Sequence, residues 1–280
     1  SWGVKGVGNI NAGAGFVVGG DTSAAANWGT PSTVTLPNAT PTNYTVSFNT
    51  KGGNSIGSKT TNRKFKGWDG AGNAGAAYRP SGDVTLKATW SDASVTLPTA
   101  QKSVTVNFDG NGGSFAASKV TKDLSFKGWN DGSNTLKTGT VKVDSNKTYT
   151  AEYGSTYASA PKMTKVKTGT VNFDANGGNC SKTKENFEYM FNGWYKNNTP
   201  IVRDQQPNES DVTFELNEDM NNTTYQAQWV SNDVALPTAS KTGYTFTKWD
   251  TKDYGMFSSD GAYFMPNSDN STLTANYTAN

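Results

Sequence analysis

The side chains that could carry chemistry in this chain are mainly aromatic and neutral polar. Histidine is absent and Cys180 is the only cysteine. The lack of histidine removes the commonest general base and the commonest metal ligand. A single cysteine forms neither an intrachain disulfide nor a Cys-based metal cage, and here it has no histidine to activate it as a nucleophile. We therefore predict a non-enzymatic protein without a cofactor.

Acidic residues give two weaker candidate sites. The segments Asp109-Gly-Asn-Gly-Gly113 and Asp174-Ala-Asn-Gly-Gly178 begin like calcium loops, in which carboxylate and amide oxygens surround the ion. The pattern ends early, because the twelfth position counted from Asp109 is Val120. A tight turn with Asn-Gly at positive φ explains the same residues. Paired carboxylates can hydrolyse glycosides without histidine, but the acidic residues of this chain are scattered, so we expect neither a metal site nor a glycosidase.

Aromatic residues provide the strongest candidate binding site. Their ring faces stack on the C–H groups of sugars, while Asn, Gln and Thr side chains bind hydroxyls. Charged residues make up only 17% of the chain and the formal net charge is +2, which favours a neutral ligand over nucleic acid. The predicted ligand site combines Phe-x-Gly-Trp-type motifs with an aromatic cluster near the C-terminus: Trp68, Trp129, Trp194, Tyr195, Trp249, Tyr254, Phe257 and Tyr263.

The same rings have a second interpretation as core residues. Period-2 alternation puts Phe126 and Gly128 on one face of a strand and Trp129 on the other, where it is partly exposed, unless a bulge at the glycine intervenes. The cluster from Tyr254 to Tyr263 could likewise replace a core that the last repeat lacks. Both alternatives remain open at the level of sequence.

These motifs belong to a repeated pattern of four landmarks. A Leu-Pro or Ala-Pro step precedes an alternating strand that ends in Gly-Gly, then Phe-x-Gly-Trp follows, then a closing strand such as Thr85-Leu-Lys-Ala-Thr-Trp90. The tryptophans of the third landmark are 61, 65 and 55 residues apart, a spacing typical of small domains rather than of solenoid turns.

The landmarks predict four repeat units, at 29–90, 91–153, 154–229 and 230–280. The fourth is shortened, because its Pro237 runs almost directly into Tyr244-Thr-Phe246 without a Gly-Gly strand. Residues 1–28 end like a closing strand, and we expect them to complete a terminal unit. Abundant β-branched residues, aromatic residues, Gly and Asn favour short strands joined by turns.

Three segments in the third unit and one in the fourth carry a family resemblance. They are Val171-Asn-Phe-Asp-Ala-Asn-Gly-Gly178, Phe191-Asn-Gly-Trp-Tyr195, Tyr225-Gln-Ala-Gln-Trp229 and Leu236-Pro-Thr-Ala-Ser-Lys-Thr-Gly-Tyr-Thr-Phe246. Together they resemble the Listeria–Bacteroides repeat, also known as the internalin B-repeat, and the resemblance extends over nearly the whole chain from residue 29. It implies compact β-grasp-like domains in tandem on bacterial surface proteins, where they serve adhesion or act as spacers.

We therefore expect a mainly β chain of tandem small β-grasp-like repeat domains with little helix, located outside the cell or on the bacterial surface. The leading hypothesis is a non-catalytic module that binds a neutral polysaccharide, such as a starch-like α-glucan, or a cell-surface glycan. The alternative is a structural stalk or a protein-binding adhesin repeat. We expect no nucleic-acid partner, no membrane insertion, since no run of about 18 apolar residues exists, and a monomer within a larger multidomain protein.

Overall fold

The computed structural model describes residues 32–206, 209 and 212–280, and the backbone of three short strands nearer the start of the chain. Those strands are Trp2–Val4 (β1), Gly8–Ile10 (β2) and Ala24–Ala26 (β3), which pair antiparallel in the order β2-β1-β3. Most of residues 1–28 lie outside the described residues, so the expectation that they complete a terminal unit stays a prediction.

Short β-strands form the rest of the described chain. The first repeat unit contains β4 Val34–Thr35, β5 Asn43–Asn49, β6 Lys59–Asn62, β7 Phe65–Trp68, β8 Ala77–Tyr78 and β9 Ala88–Trp90. The second contains β10 Ala93–Leu97, β11 Ser103–Asp109, β12 Ser114–Phe115, β13 Lys119–Asp123, β14 Ser125–Asn130, β15 Thr135–Leu136, β16 Gly139–Val143 and β17 Lys147–Gly154.

The last two repeat units are built in the same way. The third contains β18 Thr156–Ser159, β19 Met163–Lys165, β20 Thr168–Asp174, β21 Asn179–Cys180, β22 Lys184–Lys196, β23 Thr199–Arg203, β24 Thr213–Leu216, one turn of 3₁₀ helix at Glu218–Met220, and β25 Thr224–Ser231. The fourth contains β26 Val234–Ala235, β27 Ala239–Ser240, β28 Tyr244–Asp250, β29 Gly255–Phe257, β30 Tyr263–Pro266 and β31 Asn270–Ala279. The prediction of a mainly β chain with little helix is confirmed, while the β-grasp-like architecture stays a prediction.

The chain divides into two compact bodies. The first consists of Ser1–Asn49, Ile56–Pro98 and Asp131–Thr150, and the second of Thr50–Ser55, Thr99–Asn130 and Ala151–Asn280. In the first body, β10 pairs antiparallel with β16 and β5 lies between β6 and the first half of β17. Alternating side chains of these strands are buried: Val46, Val95, Leu97, Val143 and Tyr149.

The second body is organised around an eight-stranded sheet. Its order is β13-β11-β25-β22-β20-β31-β28. The eighth strand, β23, pairs with the last residues of β22, Gly193–Lys196. The first half of the 13-residue strand β22 pairs with β20 and its second half with β25. One hydrophobic core forms around Val104, Phe108, Trp194 and Leu216, and the other around Val171, Phe264 and Leu273.

A β-bulge occurs in the Phe-x-Gly-Trp motifs. The pairing register shifts between Phe65 and Gly67 and between Phe191 and Trp194. The extra residue turns the tryptophan back to the face that its phenylalanine occupies, and the two rings of the third unit meet edge to face at 5.4 Å. The bulge alternative is therefore the correct one.

The bulge corrects the expected exposure of the motif tryptophans. Trp129 and Trp194 are 0% exposed and Trp249 is 5% exposed, so the prediction that these three rings are partly exposed is wrong. Trp68 is half-buried. The predicted core faces are confirmed for Val104, Val106, Ala151 and Ala227, which are buried, whereas the predicted core residues Leu86, Ala88 and Trp90 of the first unit are half-buried.

Within each repeat unit, the strand before proline pairs with the strand that precedes the closing strand. These antiparallel pairs are β4–β8, β10–β16, β18–β24 and β26–β30. The indole N–H groups of Trp68 and Trp249 donate to the carbonyls of Pro37 (2.8 Å) and Pro237 (3.0 Å). The Leu-Pro step therefore belongs to the same structural element as the Phe-x-Gly-Trp-type motif of its unit.

The alternating Gly-Gly strands pair differently, because each joins the following repeat unit. We call β5–β6 hairpin 1, β11–β13 hairpin 2, and β20 with the first half of β22 hairpin 3. Hairpin 1 pairs in parallel with β17, hairpin 2 with β25, and hairpin 3 with β31, which are the closing strands of the second, third and fourth units. Strand pairing thus crosses the predicted repeat boundaries, which stay predictions about the sequence pattern.

This exchange explains the shortened fourth unit. A hairpin is inserted between proline and Phe-x-Gly-Trp in each of the first three units and docks on the next unit. The fourth unit receives hairpin 3 on its closing strand and contains no hairpin between its Pro237 and its Phe-x-x-Trp motif. It keeps every landmark that accepts a hairpin and lacks only the part that is donated.

Candidate functional site

The predicted ligand-binding residues separate into three groups. Trp129, Trp194 and Trp249 are core residues that present no ring face to solvent. Tyr195 is half-buried on β22, where it pairs with Gln226, and Trp68 lies in the first body. Only the last group is brought together on one structural element: Tyr254, Phe257 and Tyr263.

That element is the hairpin of β29 and β30, which we call the terminal hairpin. Met256 pairs with Met265 and Phe257 with Phe264. Its turn is closed by Ser258 and Asp260: the Ser258 backbone N–H donates to the Tyr263 carbonyl (3.0 Å), and the Ala262 N–H donates to the Asp260 carboxylate (3.0 Å). The Ser258 hydroxyl, followed by that N–H, lowers the pKa of Asp260 from its usual value.

The two faces of the terminal hairpin differ sharply in exposure. Phe264 is fully buried and meets the ring of Phe257 at 4.9 Å. The alternate residues point the other way, so that Tyr254 is 82% exposed, Met256 66% and Tyr263 46%. A large apolar side chain left in water is costly, and neighbouring ones on one face mark a binding surface.

Gly255 fixes the position of β29 over the core. A Cβ atom at this position would lie 2.3 Å from the Phe264 ring, so only glycine lets the strand approach so closely. β29 is also an edge strand, since within the described residues its sheet has the order β26-β30-β29. Its outer backbone edge can therefore accept an extended chain.

An open groove of about 520 Å³ runs beside Tyr254, and we call it the Tyr254 groove. Its lining is mainly apolar and includes no charged side chain: Tyr189, Trp229, Val230, Ser231, Tyr254, Gly255, Met256, Met265, Pro266 and Asn267. Val230 is 41% exposed and continues the apolar surface. The Asn267 side chain is exposed at the groove, whereas the Ser231 hydroxyl is buried and donates to the Pro266 carbonyl.

The Tyr189 side of the groove is held by an ion pair. The Tyr189 hydroxyl donates to Asp269 (2.9 Å), which also binds the Lys167 ammonium (2.7 Å). The ammonium lies 4.9 Å from the centre of the Tyr189 ring. Burial, together with the hydrogen bond to Asp269, raises the pKa of Tyr189 far above its usual value. Tyr189 is thus a neutral, fixed part of the wall and no acid–base group.

The two calcium-like segments form turns. Asn111 and Asn176 have φ of 46° and 51°, and their backbone N–H groups donate to Asp109 (3.0 Å) and Asp174 (2.8 Å). The turn interpretation is confirmed.

Among the described residues, no group of three or more Cys, Asp or Glu side chains is arranged to hold a metal ion. In that part of the chain there is also no helix with the length and hydropathy of a membrane span.

Sequence reasoning missed the methionines and Val230. Period-2 alternation in Tyr254-Gly-Met256 and Tyr263-Phe-Met265 places Met256 and Met265 on the outer face, so this part of the surface could have been predicted. The contribution of Tyr189, Trp229 and Val230 could not, because strands far apart in the sequence bring these residues to the groove.

The fold and this groove define a β-repeat protein with an exposed apolar surface on its last unit. Residues 231–280 match the sequence model of a family described as "Divergent InlB B-repeat domain". The resemblance predicted from the repeat landmarks is thereby confirmed for the fourth unit. No curated protein and no solved structure matches the chain. Internalin-type B-repeat domains are generally non-catalytic and occur in surface or secreted bacterial proteins.

Proposed function

We propose that this chain is a non-catalytic adhesin-type repeat module, outside the cell or on the bacterial surface, whose fourth unit binds an extended apolar segment of a partner protein. The observation that carries this proposal is the outer face of the terminal hairpin beside the Tyr254 groove. This face combines the exposed side chains of Tyr254 and Met256 with a free strand edge.

The chemistry of the lining favours apolar side chains as the ligand. Methionine is flexible and polarisable, so a pair such as Met256 and Met265 adapts to different apolar partners. The edge of β29 supplies backbone donors and acceptors, which give affinity to an added strand, while the groove receives alternate side chains. The Tyr189 hydroxyl donates to Asp269, so this side chain acts as a fixed part of the groove wall.

Binding of a neutral polysaccharide is the second candidate. It is favoured by the Tyr254 ring, which is 82% exposed and could stack on a sugar, and by Asn267 in the lining. It is less favoured than a peptide because three of the four motif tryptophans are core residues and because the Ser231 hydroxyl of the lining is buried and donates to the Pro266 carbonyl.

Selection of peptides from a random display library on the full chain tests the proposal. We expect enrichment of sequences with alternating apolar residues, and at least tenfold weaker binding of the selected peptides to the double variant Tyr254→Ser/Met256→Ser. The matched control is Tyr157→Ser, which removes an exposed tyrosine (68%) on β18 outside the groove and should leave binding unchanged.

Two results would overturn the peptide proposal. One is the absence of enriched peptides, and the other is equal binding to the double variant. Retention of the chain on insoluble starch, cellulose, xylan or mucin, lost in Tyr254→Ser but kept in Tyr157→Ser, would instead support the polysaccharide candidate.

A further inference from the structure

The closing strands of the last three repeat units share a set of contacts with the hairpin donated by the preceding unit. In each pair, the phenylalanine one residue before the end of the donated strand lies opposite an apolar residue of the closing strand. The paired residues are Phe48 with Tyr149, Phe108 with Tyr225, and Phe173 with Leu273. The pairing is parallel in all three cases.

The aromatic residue near the end of each closing strand binds the turn of the donated hairpin. Tyr153 donates to the Thr50 carbonyl (3.2 Å), the Trp229 indole to Gly110 (3.1 Å), and Tyr277 to Ala175 (3.0 Å). The three carbonyls occupy the same place in the repeat, one residue before the positive-φ position of the turn. The closing aromatic is therefore a fixed donor to the hairpin of the unit before it.

The second glycine of each Gly-Gly pair makes room for that aromatic side chain. A Cβ atom on Gly113 would lie 2.4 Å from the Trp229 ring, and one on Gly178 would lie 2.5 Å from the Tyr277 hydroxyl. The asparagine of the turn adds a further contact, since the Asn111 and Asn176 amides donate to the carbonyls of Ala227 (3.2 Å) and Ala275 (3.1 Å). The Asn-Gly-Gly motif thus encodes docking on the following unit.

Among the described residues, the first repeat unit has the accepting half of this arrangement without a hairpin paired to it. Its closing strand β9 pairs with β7, and no strand lies on its other edge in the described part of the chain. The regular strand covers only Ala88–Trp90, 3 residues, against 8, 8 and 10 in the other closing strands.

The side chains of the first unit show the same incomplete packing. Ala88 is half-buried, whereas its counterparts Ala151, Ala227 and Ala275 are at most 1% exposed. Trp90 stands where Tyr153, Trp229 and Tyr277 bind a turn, and its indole N–H has no hydrogen-bond partner among the described residues. Residues 1–31 contain one Gly-Gly pair, Gly19-Gly20, which follows Val18 rather than the Lys or Asn of the three docked turns.

We infer that the free edge of β9 is a docking site for a β-hairpin of this same repeat type, supplied by another copy of the repeat. Its first strand pairs in parallel along residues 85–90, its turn asparagine donates to the Ala88 carbonyl, and the Trp90 indole donates to its turn. The first unit would thereby acquire the parallel pairing that β31 of the fourth unit makes with hairpin 3. The inference is independent of the Tyr254 groove.

A synthetic peptide of residues 101–124, which contains hairpin 2, tests this site on the full chain. Hydrogen exchange measured by mass spectrometry should show at least tenfold slower exchange of residues 85–90 when the peptide is added. The matched control peptide carries Gly113→Val, whose larger side chain would collide with Trp90 as it would with Trp229. It should give no protection at residues 85–90.

A covalent version removes the dependence on peptide affinity. Joining residues 101–124 to the start of the chain through a flexible Gly/Ser linker brings the hairpin to an effective concentration in the range of about 1 mM. Protection of residues 85–90 that is lost with Trp90→Ser would support the inference. It would be overturned by no protection in the fused chain, by equal protection from the Gly113→Val hairpin, or by protection confined to the other closing strands.

Discussion

The first and fourth repeat units carry the same landmarks but differ in completeness. The fourth has a 10-residue closing strand and a motif tryptophan, Trp249, that is 5% exposed. The first has a 3-residue closing strand and a half-buried Trp68. The fourth unit receives hairpin 3, while no hairpin lies beside the first in the described residues. The comparison indicates that a unit of this repeat completes its core with a hairpin encoded before it.

The largest expected difference between the two units concerns their tryptophans. Trp249→Ala should lower the free energy of unfolding by about 3–5 kcal/mol, because a buried aromatic ring is lost and a cavity remains. Trp68→Ala should cost less than about 2 kcal/mol, since less of its surface leaves water on folding. Urea unfolding followed by circular dichroism measures both values. Equal costs would contradict the comparison.

The second effect concerns the glycine that faces the closing aromatic. Gly178→Ala should destabilise the chain by about 1–3 kcal/mol, because the added Cβ collides with a packed neighbour. Its Cβ would lie 2.4 Å from the Ser240 carbonyl oxygen. Gly57→Ala is the control, since a Cβ there meets nothing within 4 Å. Thermal unfolding of both variants provides the measurement, and a Gly178→Ala protein as stable as Gly57→Ala would argue against close docking of hairpin 3.

A smaller loss is expected from the turn asparagine of hairpin 3. Asn176→Gly keeps a backbone that tolerates positive φ but removes the hydrogen bond to Ala275, at a cost of about 1 kcal/mol. Asn198→Gly is the matched control, because Asn198 also has positive φ (63°) and its amide makes no hydrogen bond in the described chain. If the two variants unfold at the same urea concentration, the amide contributes nothing to docking.

The smallest effect should appear in the pH dependence of hairpin 2. The Gln226 amide donates to Asp109 (3.0 Å), and this bond, with the Asn111 N–H, lowers the pKa of Asp109. Its stabilisation is present above the unfolded pKa of about 3.9 and is lost as the pH falls through the folded pKa.

Because Asp109 is exposed to solvent, the contribution should stay below about 1 kcal/mol. Urea unfolding of the parent chain, Asp109→Asn and Gln226→Ala between about pH 2 and pH 6 tests this expectation. Both variants should show a weaker pH dependence than the parent. An unchanged dependence in Asp109→Asn would exclude this carboxyl as its source.

The sequence predicts local features of this fold better than its long-range pairing. Period-2 alternation correctly places Val104, Val106 and Phe108 in the core, because the face of a strand residue is set by its immediate neighbours. It fails at Trp194, where the pairing register shifts between Phe191 and Trp194, and Trp129 is buried in the same way. It also cannot tell which closing strand a hairpin joins, since the four closing strands are alike and each pairing partner is about 100 residues away in the chain.

The candidate site shows the same division between local and distant information. The exposed Tyr254 and Tyr263 were predicted from an aromatic cluster that the repeat does not explain. The placement of Tyr254 in one groove with Trp229 depends on segments that are distant in the sequence and meet only in the folded chain. The glycan hypothesis rested in large part on motif tryptophans whose burial follows from the bulge.

Hydrogen exchange of a shortened chain, residues 1–231, tests most directly whether each hairpin belongs to the following unit. Removing the fourth unit deletes the partner of hairpin 3 and keeps β25, the partner of hairpin 2. We predict that the amides of Thr168–Asp174 that face β31, such as that of Thr170, lose their protection, while those that face β22, such as that of Phe173, and the strand Ser103–Asp109 keep theirs. Retained protection of the amides that face β31 would contradict the exchange of hairpins between repeat units.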